Sequence, residues 1–241
     1  MSYTARRYKK GNGESYTLGT TLTIELLKQK PEICKQVYLH QDLVGSGADV
    51  ILDLCKKNSI AYEVNNKVFN LLSQKENCFA IGIFDTFSQE LNPDTDHVVL
   101  VNPSNHGNLG TIMRSMCGFG VKDLAIISPG VDIFDPKTVR SSMGAIFDIR
   151  FKYFDTFDEY LQTVGERKFY PFMLQATASL GNAKFVHPSS LVFGNESSGL
   201  PRDFLEKGEP VIINHSSEID SLNLPIATSI ALYEFTKQKF N

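Results

Sequence analysis

Residues 98–127 read VVLVNPSNHGNLGTIMRSMCGFGVKDLAII, and the order of their parts decides the fold. Val98–Val101 is an apolar, mostly β-branched run of strand character, Asn102–Gly110 is rich in turn formers, and Thr111–Phe119 has helical character. Gly118 and Gly120 stop that helix ahead of a second apolar run, Leu124–Ile127. Strand, polar loop, helix, strand is the βαβ unit of a parallel sheet, because parallel neighbours need a crossover connection. In open α/β sheets ligands bind beyond the carboxyl ends of the strands. The loop there holds Asn105, Asn108 and two glycines, with Arg114 following in the helix, a donor-rich set suited to an anionic or polyhydroxyl ligand.

Downstream, Pro136–Ala145 and Thr156–Val164 read as helices. Phe147–Tyr153, Tyr170–Ala176, Leu191–Gly194 and Pro210–Ile213 read as strands. A C-terminal helix places Leu222, Ile226, Ile230 and Tyr233 on one apolar stripe. Upstream, helices over Ser15–Lys30, Ala48–Asn58 and Asn66–Ser73 alternate with strands Gln36–His40, Ala61–Val64 and Phe79–Phe84. That alternation is enough for a small α/β domain. The polar, proline-containing Ser88–Asp96 reads as a linker. The expected organisation is a basic flexible arm (1–13), a small α/β domain (14–88), a linker (89–96) and a larger α/β domain (97–241).

The net charge of −3 gives no global attraction to nucleic acid, so an RNA site must be a local patch. The arm segment RRYKK (Arg6–Lys10) is such a patch, and charge runs of this kind also occur as solvated tails. Lys28, Lys30, Lys56 and Lys57 add positive charge nearby in sequence. Cys34, Cys55, Cys78 and Cys117 are widely spaced, with neither zinc-ribbon nor disulfide-framework spacing, which points to a reducing compartment. No apolar run reaches membrane-spanning length, and the N-terminus lacks a signal-peptide core, so a soluble cytoplasmic protein is expected.

Three polar clusters follow strands in the second half: Asn105–Arg114, Gly194–Pro201 and Asn214–Asn223. None is a phosphate-binding GxxxxGK[ST] loop or a GxGxxG turn, and no HxxxH or HExxH pair suggests metal catalysis. Taken singly, each residue has a plain structural reading. Arg114 suits a surface ion pair, Asn223 a helix cap with Pro225 in the first turn, Glu196 an ordinary loop carboxylate, and Gly194 and Gly199 turn glycines.

Taken together, the stretches Asn108-Leu-Gly-Thr-Ile-Met-Arg114, Gly194-Asn-Glu-Ser-Ser-Gly199-Leu-Pro and Ser221-Leu-Asn223-Leu-Pro-Ile-Ala227 resemble, in order and spacing, the three motifs of the SpoU/TrmH family. These are S-adenosylmethionine-dependent RNA ribose 2′-O-methyltransferases of the SPOUT class. The resemblance covers roughly residues 97–238. It implies a parallel sheet with a C-terminal trefoil knot, one of the rare exceptions to unknotted chains. Ahead of it, residues 14–86 resemble the small L30e-like α/β domain that many members use to bind RNA.

By position, Gly194, Gly199, Ile213 and Leu222 match the family's cofactor-binding places, and Asn108, Arg114, Glu196, Ser221 and Asn223 match its catalytic places. The family also implies a homodimer with its site near the subunit interface. One departure is Ile213-Asn214-His215, where members often have Ile-Pro-Met; another is Pro225, where a small or polar residue is common. No metal is implied.

Methyl transfer to a hydroxyl needs alignment and stabilisation of a developing alkoxide. Arg114 stays protonated, so its expected role is to bind the neighbouring phosphate and that oxygen rather than to act as a base. Asn108 and Asn223 would orient the ribose, and Glu196 would hold the loop or the guanidinium. RNA, with ribosomal RNA ahead of transfer RNA, is the expected substrate because the acceptor is a 2′-hydroxyl. The competing readings are a non-catalytic RNA-binding or ribosome-assembly factor and a Rossmann-type small-molecule methyltransferase. The second lacks its glycine-rich loop.

Overall fold

The structure is a computed structural model of the 241-residue chain, describing residues 3–73 and 77–240. In chain order the elements are β1 (Glu14–Tyr16), α1 (Thr20–Gln29), β2 (Cys34–Leu39), α2 (Ser46–Lys57), β3 (Tyr62–Val64), α3 (Asn66–Leu72) and β4 (Ala80–Asp85). They continue as β5 (His97–Val101), α4 (His106–Gly118), β6 (Asp123–Ile127), α5 (Pro136–Ser141), β7 (Arg150–Phe154), α6 (Phe157–Val164) and β8 (Lys168–Pro171). The last are β9 (Ala178–Ser179), β10 (Ser189–Phe193), β11 (Val211–Ile212) and α7 (Leu224–Thr236). The contacts divide the chain into two units. One comprises the residues up to Phe87 together with Asp132–Asp148, and the other Ser88–Val131 with the residues from Ile149 onward.

In the first unit the sheet order is β1-β4-β2-β3, antiparallel except for the parallel β2–β3 pair. Helix α1 buries Leu22, Leu26 and Leu27, the face its spacing predicts. The helix sits so close to β4 that a Cβ on Gly82 would lie 2.8 Å from Leu26 Cδ2.

Residues 3–8 differ from the flexible arm expected. Tyr3, Ala5 and Tyr8 pack against the cluster containing Tyr38, Phe69 and Ile81. The Tyr38 hydroxyl donates to the Tyr3 carbonyl at 2.9 Å, and the Tyr8 hydroxyl donates to the Asp132 carboxylate. The tyrosines alternate with the cations, so burying the rings leaves Arg6, Arg7, Lys9 and Lys10 exposed.

Asp132–Asp148 was expected in the second domain and instead packs in the first. The Phe134 ring lies 5.3 Å from Phe87 and 6.4 Å from Phe84, and Phe147 lies 5.2 Å from Phe84. Asp135 caps α5 by accepting from Lys137 N at 2.8 Å, with Pro136 at the helix start where its missing N–H costs nothing. The helix ends earlier than its sequence suggests, because Met143 and Gly144 turn to φ of 51° and 97°.

The second unit is built on a five-stranded, wholly parallel sheet of order β7-β6-β5-β10-β8. Val98, Val99, Leu100, Leu124 and Val192 are fully or almost fully buried, as expected for strands covered on both faces. Pro171 is accommodated because β8 is an edge strand. That strand is shorter than its sequence suggests: after Pro171 the chain leaves the sheet, and Phe172 stacks on Phe193 with centroids 4.6 Å apart.

At the amino end of β5 the His97 ring is bonded to the Tyr160 hydroxyl at 2.9 Å. Burial, reinforced by the Arg167 charge, lowers its pKa to about 4, so it is a neutral packing group. The strands β9 and β11 pair with each other outside the main sheet.

Helix α7 packs on α4, where the Ser115 and Ser229 hydroxyls meet at 2.8 Å. Its buried face is Leu224, Thr228, Ala231, Leu232 and Phe235. The apolar stripe read from the sequence is turned outward, with Ile226 52%, Ile230 39% and Tyr233 59% exposed. Among the described residues no helix is long and apolar enough to cross a membrane.

Candidate active site

Strands β5 and β10 are neighbours in the centre of the sheet, while the chain leaves β5 toward β6 on the other side. That reversal of winding puts a crevice at their carboxyl ends, where an open α/β sheet binds its ligand. The loops after β5 and β10 close this crevice together. Asn195 Nδ2 donates to the Asn102 carbonyl at 2.8 Å. Glu196 accepts from Ser104 N at 2.9 Å, Ser104 Oγ at 2.7 Å, Asn105 N at 3.1 Å and Asn108 Nδ2 at 3.1 Å. Helix α4 begins at His106, five residues before the helix read from the sequence, because Asn105 caps it by accepting from Asn108 N at 3.0 Å. Asn108 is therefore a first-turn helical residue rather than a loop residue.

The Glu196 carboxylate is half-buried, and burial alone would raise its pKa. The Ser104 and Asn108 donors outweigh that effect and hold it below its ordinary value of 4.5. A depressed folded-state pKa stabilises the fold above the unfolded-state value, and the stabilisation is lost as pH falls through the lower folded-state value. Glu196→Gln should lower stability at pH 7 by about 1 kcal/mol, allowing for partial solvent screening. Urea titrations should show the gap between variant and parent closing below pH 4.5. A gap independent of pH would mean that the charge on Glu196 is not what the donors hold.

The loop after β10 is tightly wound. Asn195 and Gly199 exchange backbone hydrogen bonds of 3.2 and 2.9 Å. Asn195 Oδ1 accepts from Ser197 N at 2.9 Å, Ser197 Oγ at 2.7 Å and Ser198 N at 3.2 Å. Gly199 holds φ of 67°, and a Cβ on Gly194 would lie 2.1 Å from the Gly199 carbonyl carbon. Asn195 escaped the sequence reading. Its signal was the Asn-x-Ser-Ser pattern of an Asx turn.

Beside this loop lies a cavity of about 310 Å³. Its walls come from residues 172–175 after β8, residues 193–200 around the end of β10, and a set running from Ile212 at the end of β11 through Ile213, His215 and residues 220–222 to Leu224 and Ala227 of α7. Gly194, Glu196, Gly199, Ile213, Ser221 and Leu222 all line it. Asn108 is joined to it through Glu196.

Besides Asn108, two more predicted residues are not in the wall. Arg114 is exposed on α4, and the donors to Glu196 are Ser104, Asn105 and Asn108 rather than its guanidinium. Asn223 is exposed at the cap position of α7, but its side chain makes no capping bond, which leaves the amide uncommitted.

The family model described as SpoU rRNA Methylase matches residues 96–233. A second, described as RNA 2′-O ribose methyltransferase substrate binding, matches residues 16–78. An uncharacterized tRNA/rRNA methyltransferase of Synechocystis is 30% identical over 146 residues, which cover 59% of this chain and 53% of that protein, so the chain spans about half of that relative. The 23S rRNA (uridine(2479)-2′-O)-methyltransferase of Streptomyces viridochromogenes is 27% identical over 225 residues, covering 90% of this chain and 74% of that protein. Among solved structures, the AdoMet-bound rRNA methyltransferase from Sinorhizobium meliloti aligns with a TM-score of 0.78 at 23% identity, over 94% of this chain and 88% of that one. The SpoU methyltransferase AviRb of Streptomyces viridochromogenes, in complex with AdoMet, aligns at 0.81 and 19% identity, over 95% and 91%. These two share the fold.

Proposed function

The chain belongs to the SpoU rRNA Methylase family, and from that premise we propose that it methylates a ribose 2′-hydroxyl of RNA, ribosomal RNA before transfer RNA, using S-adenosylmethionine. The observation that carries this reading is the joining of three sequence-distant loops at one sheet edge, where Glu196 locks Asn108 beside a cavity. The cavity suits the cofactor: about 310 Å³, walled by Phe172, Phe193 and Leu222 with polar groups interspersed, it is at the small end of small-molecule sites. Gly194, Gly199, Ile213 and Leu222 would hold the cofactor there. When bound, S-adenosylmethionine supplies an electrophilic methyl group.

The chain's own residues supply placement and charge. Asn108 gives its Nδ2 to Glu196, which leaves its Oδ1 to orient a ribose hydroxyl. Ser221 and the uncommitted amide of Asn223 serve the same orientation from the other rim. Arg114, fixed as a cation, holds the adjacent phosphate and the oxygen as it gains negative charge, and the proton leaves to that phosphate or to solvent. The exposed cations Arg6, Arg7, Lys9 and Lys10 supply RNA-backbone contacts in a first unit whose fold we read as L30e-like.

We read the C-terminal segment as a trefoil knot, supported by the return of β11, after β10, to pair with the earlier β9. An experimental structure traced through the segment tests that threading. The wide spacing of the four cysteines, with no disulfide framework in the sequence, suits a cytoplasmic protein.

The outward stripe Ile226, Ile230 and Tyr233, continued by Phe119 6.3 Å from Tyr233, supports a homodimer through this face. Tyr233→Asp is then expected to sediment as a monomer where the parent sediments as a dimer. An unchanged coefficient removes this face from the interface.

Calorimetric titration with S-adenosylmethionine, paired with RNA filter binding across a salt series, tests the whole reading. Cofactor binding and RNA affinity that falls steeply with salt are expected. RNA binding without cofactor binding would make the chain a non-catalytic factor.

A further inference from the structure

His215 lines the cavity, and its Nδ1 lies 2.9 Å from the Ile213 carbonyl oxygen. A carbonyl can only accept, so Nδ1 carries a hydrogen, and in that tautomer Nε2 holds the ring's lone pair. The flanking residues also have partners: Asn214 Nδ2 donates to Ser179 Oγ at 2.9 Å, and Glu218 N donates to Ser216 Oγ at 3.2 Å. The Nδ1 bond to the Ile213 carbonyl orients the ring beside the cavity.

Glu196 and Asn195, the half-buried side-chain acceptors on the wall other than His215, are already used, and Gln175 is exposed. Both Glu196 oxygens accept from Ser104, Asn105 and Asn108, and Asn195 Oδ1 accepts from Ser197 and Ser198. Asp220 is exposed, where water competes for it. His215 is half-buried, and its Nε2 is uncommitted. A half-buried acceptor facing a cavity gains most when a ligand donor meets it away from water.

We propose that His215 contacts the cofactor, its Nε2 accepting a hydrogen bond from an N–H donor that S-adenosylmethionine and its demethylated product share. The proposal rests on the cofactor reading above and adds a side-chain contact to it. The contact is to a neutral lone pair and not to the sulfonium charge, so the methylated and demethylated ligands lose equally when it is removed.

Calorimetric titration of the full chain with S-adenosylmethionine and with S-adenosylhomocysteine tests this. His215→Phe should raise both dissociation constants about tenfold, equivalent to about 1.4 kcal/mol. His215→Gln, which keeps an acceptor, should stay within about twofold of the parent. Melting temperatures without ligand should coincide for all three proteins, and His215→Leu repeats the test if the larger ring disturbs the loop.

Unchanged affinities in His215→Phe and His215→Leu, equal losses in the Phe and Gln variants, or a loss confined to S-adenosylmethionine would each overturn the proposal alone. A parent protein that binds neither ligand would overturn the cofactor reading and the proposal with it.

Discussion

Arg114→Ala is expected to slow methyl transfer by about 10²–10³-fold, the usual cost of removing one preorganised donor from a developing oxyanion. Its affinity for S-adenosylmethionine should stay within about twofold of the parent, because Arg114 is exposed on α4 and does not line the cavity. The same separation predicts that Arg114→Lys fails. A guanidinium grips phosphate through a planar fork, and an ammonium on a flexible stem offers charge without that geometry. Single-turnover rates with saturating RNA isolate the chemical step from binding. A lysine variant that turns over like the parent would reduce the role to bulk charge, and an alanine variant that does so would remove Arg114 from the site.

Gly194→Ala should be the most damaging small substitution in the second unit. The added methyl would sit 2.1 Å from the Gly199 carbonyl carbon and 2.3 Å from Leu200 N, and these are backbone atoms that cannot rotate aside. Overpacking usually costs about 1–3 kcal/mol, and a clash with main chain belongs at or above the top of that range. Relief requires opening the Asn195–Gly199 turn, which carries Glu196 and through it Ser104, Asn105 and Asn108. Chemical denaturation should show the stability loss, and calorimetry should show weakened cofactor binding in whatever remains folded. A stable variant with parental affinity would mean that the turn has room the structure does not show.

The parts of the fold legible in the sequence are those set by local pattern. The run from Val98 to Ile127 announces strand, crossover helix and strand because β-branched residues, a polar gap and a glycine stop each have a local cause. The early start of α4 was hidden because His106-Gly-Asn-Leu-Gly has weak helix propensity, and only the Asn105 cap and the packing of Leu109 and Ile112 decide it. In α7 apolar residues occur almost all round, so two stripes compete on spacing alone. The face starting at Leu224 wins because it meets α4, a contact no local pattern encodes.

The cluster holding the cavity-lining glycines and Glu196 was legible from its place after a strand, and their individual site roles came from the family resemblance. Asn195 was passed over because its bonds go to its own loop and to Asn102, far away in sequence. The two-residue strands β9 and β11 carry no periodicity at all.

The excursion Asp132–Asp148 leaves the second unit between β6 and β7 and packs Phe134 and the buried Phe147 on aromatic rings contributed by residues before Ser88. A cut at the apparent domain boundary therefore yields neither half intact. The leading fragment would lose part of its own interior, and the trailing one would present two stranded phenylalanines to water. For anyone dissecting the chain by proteolysis or recombination, modules should be counted in space, since here the tape is interleaved.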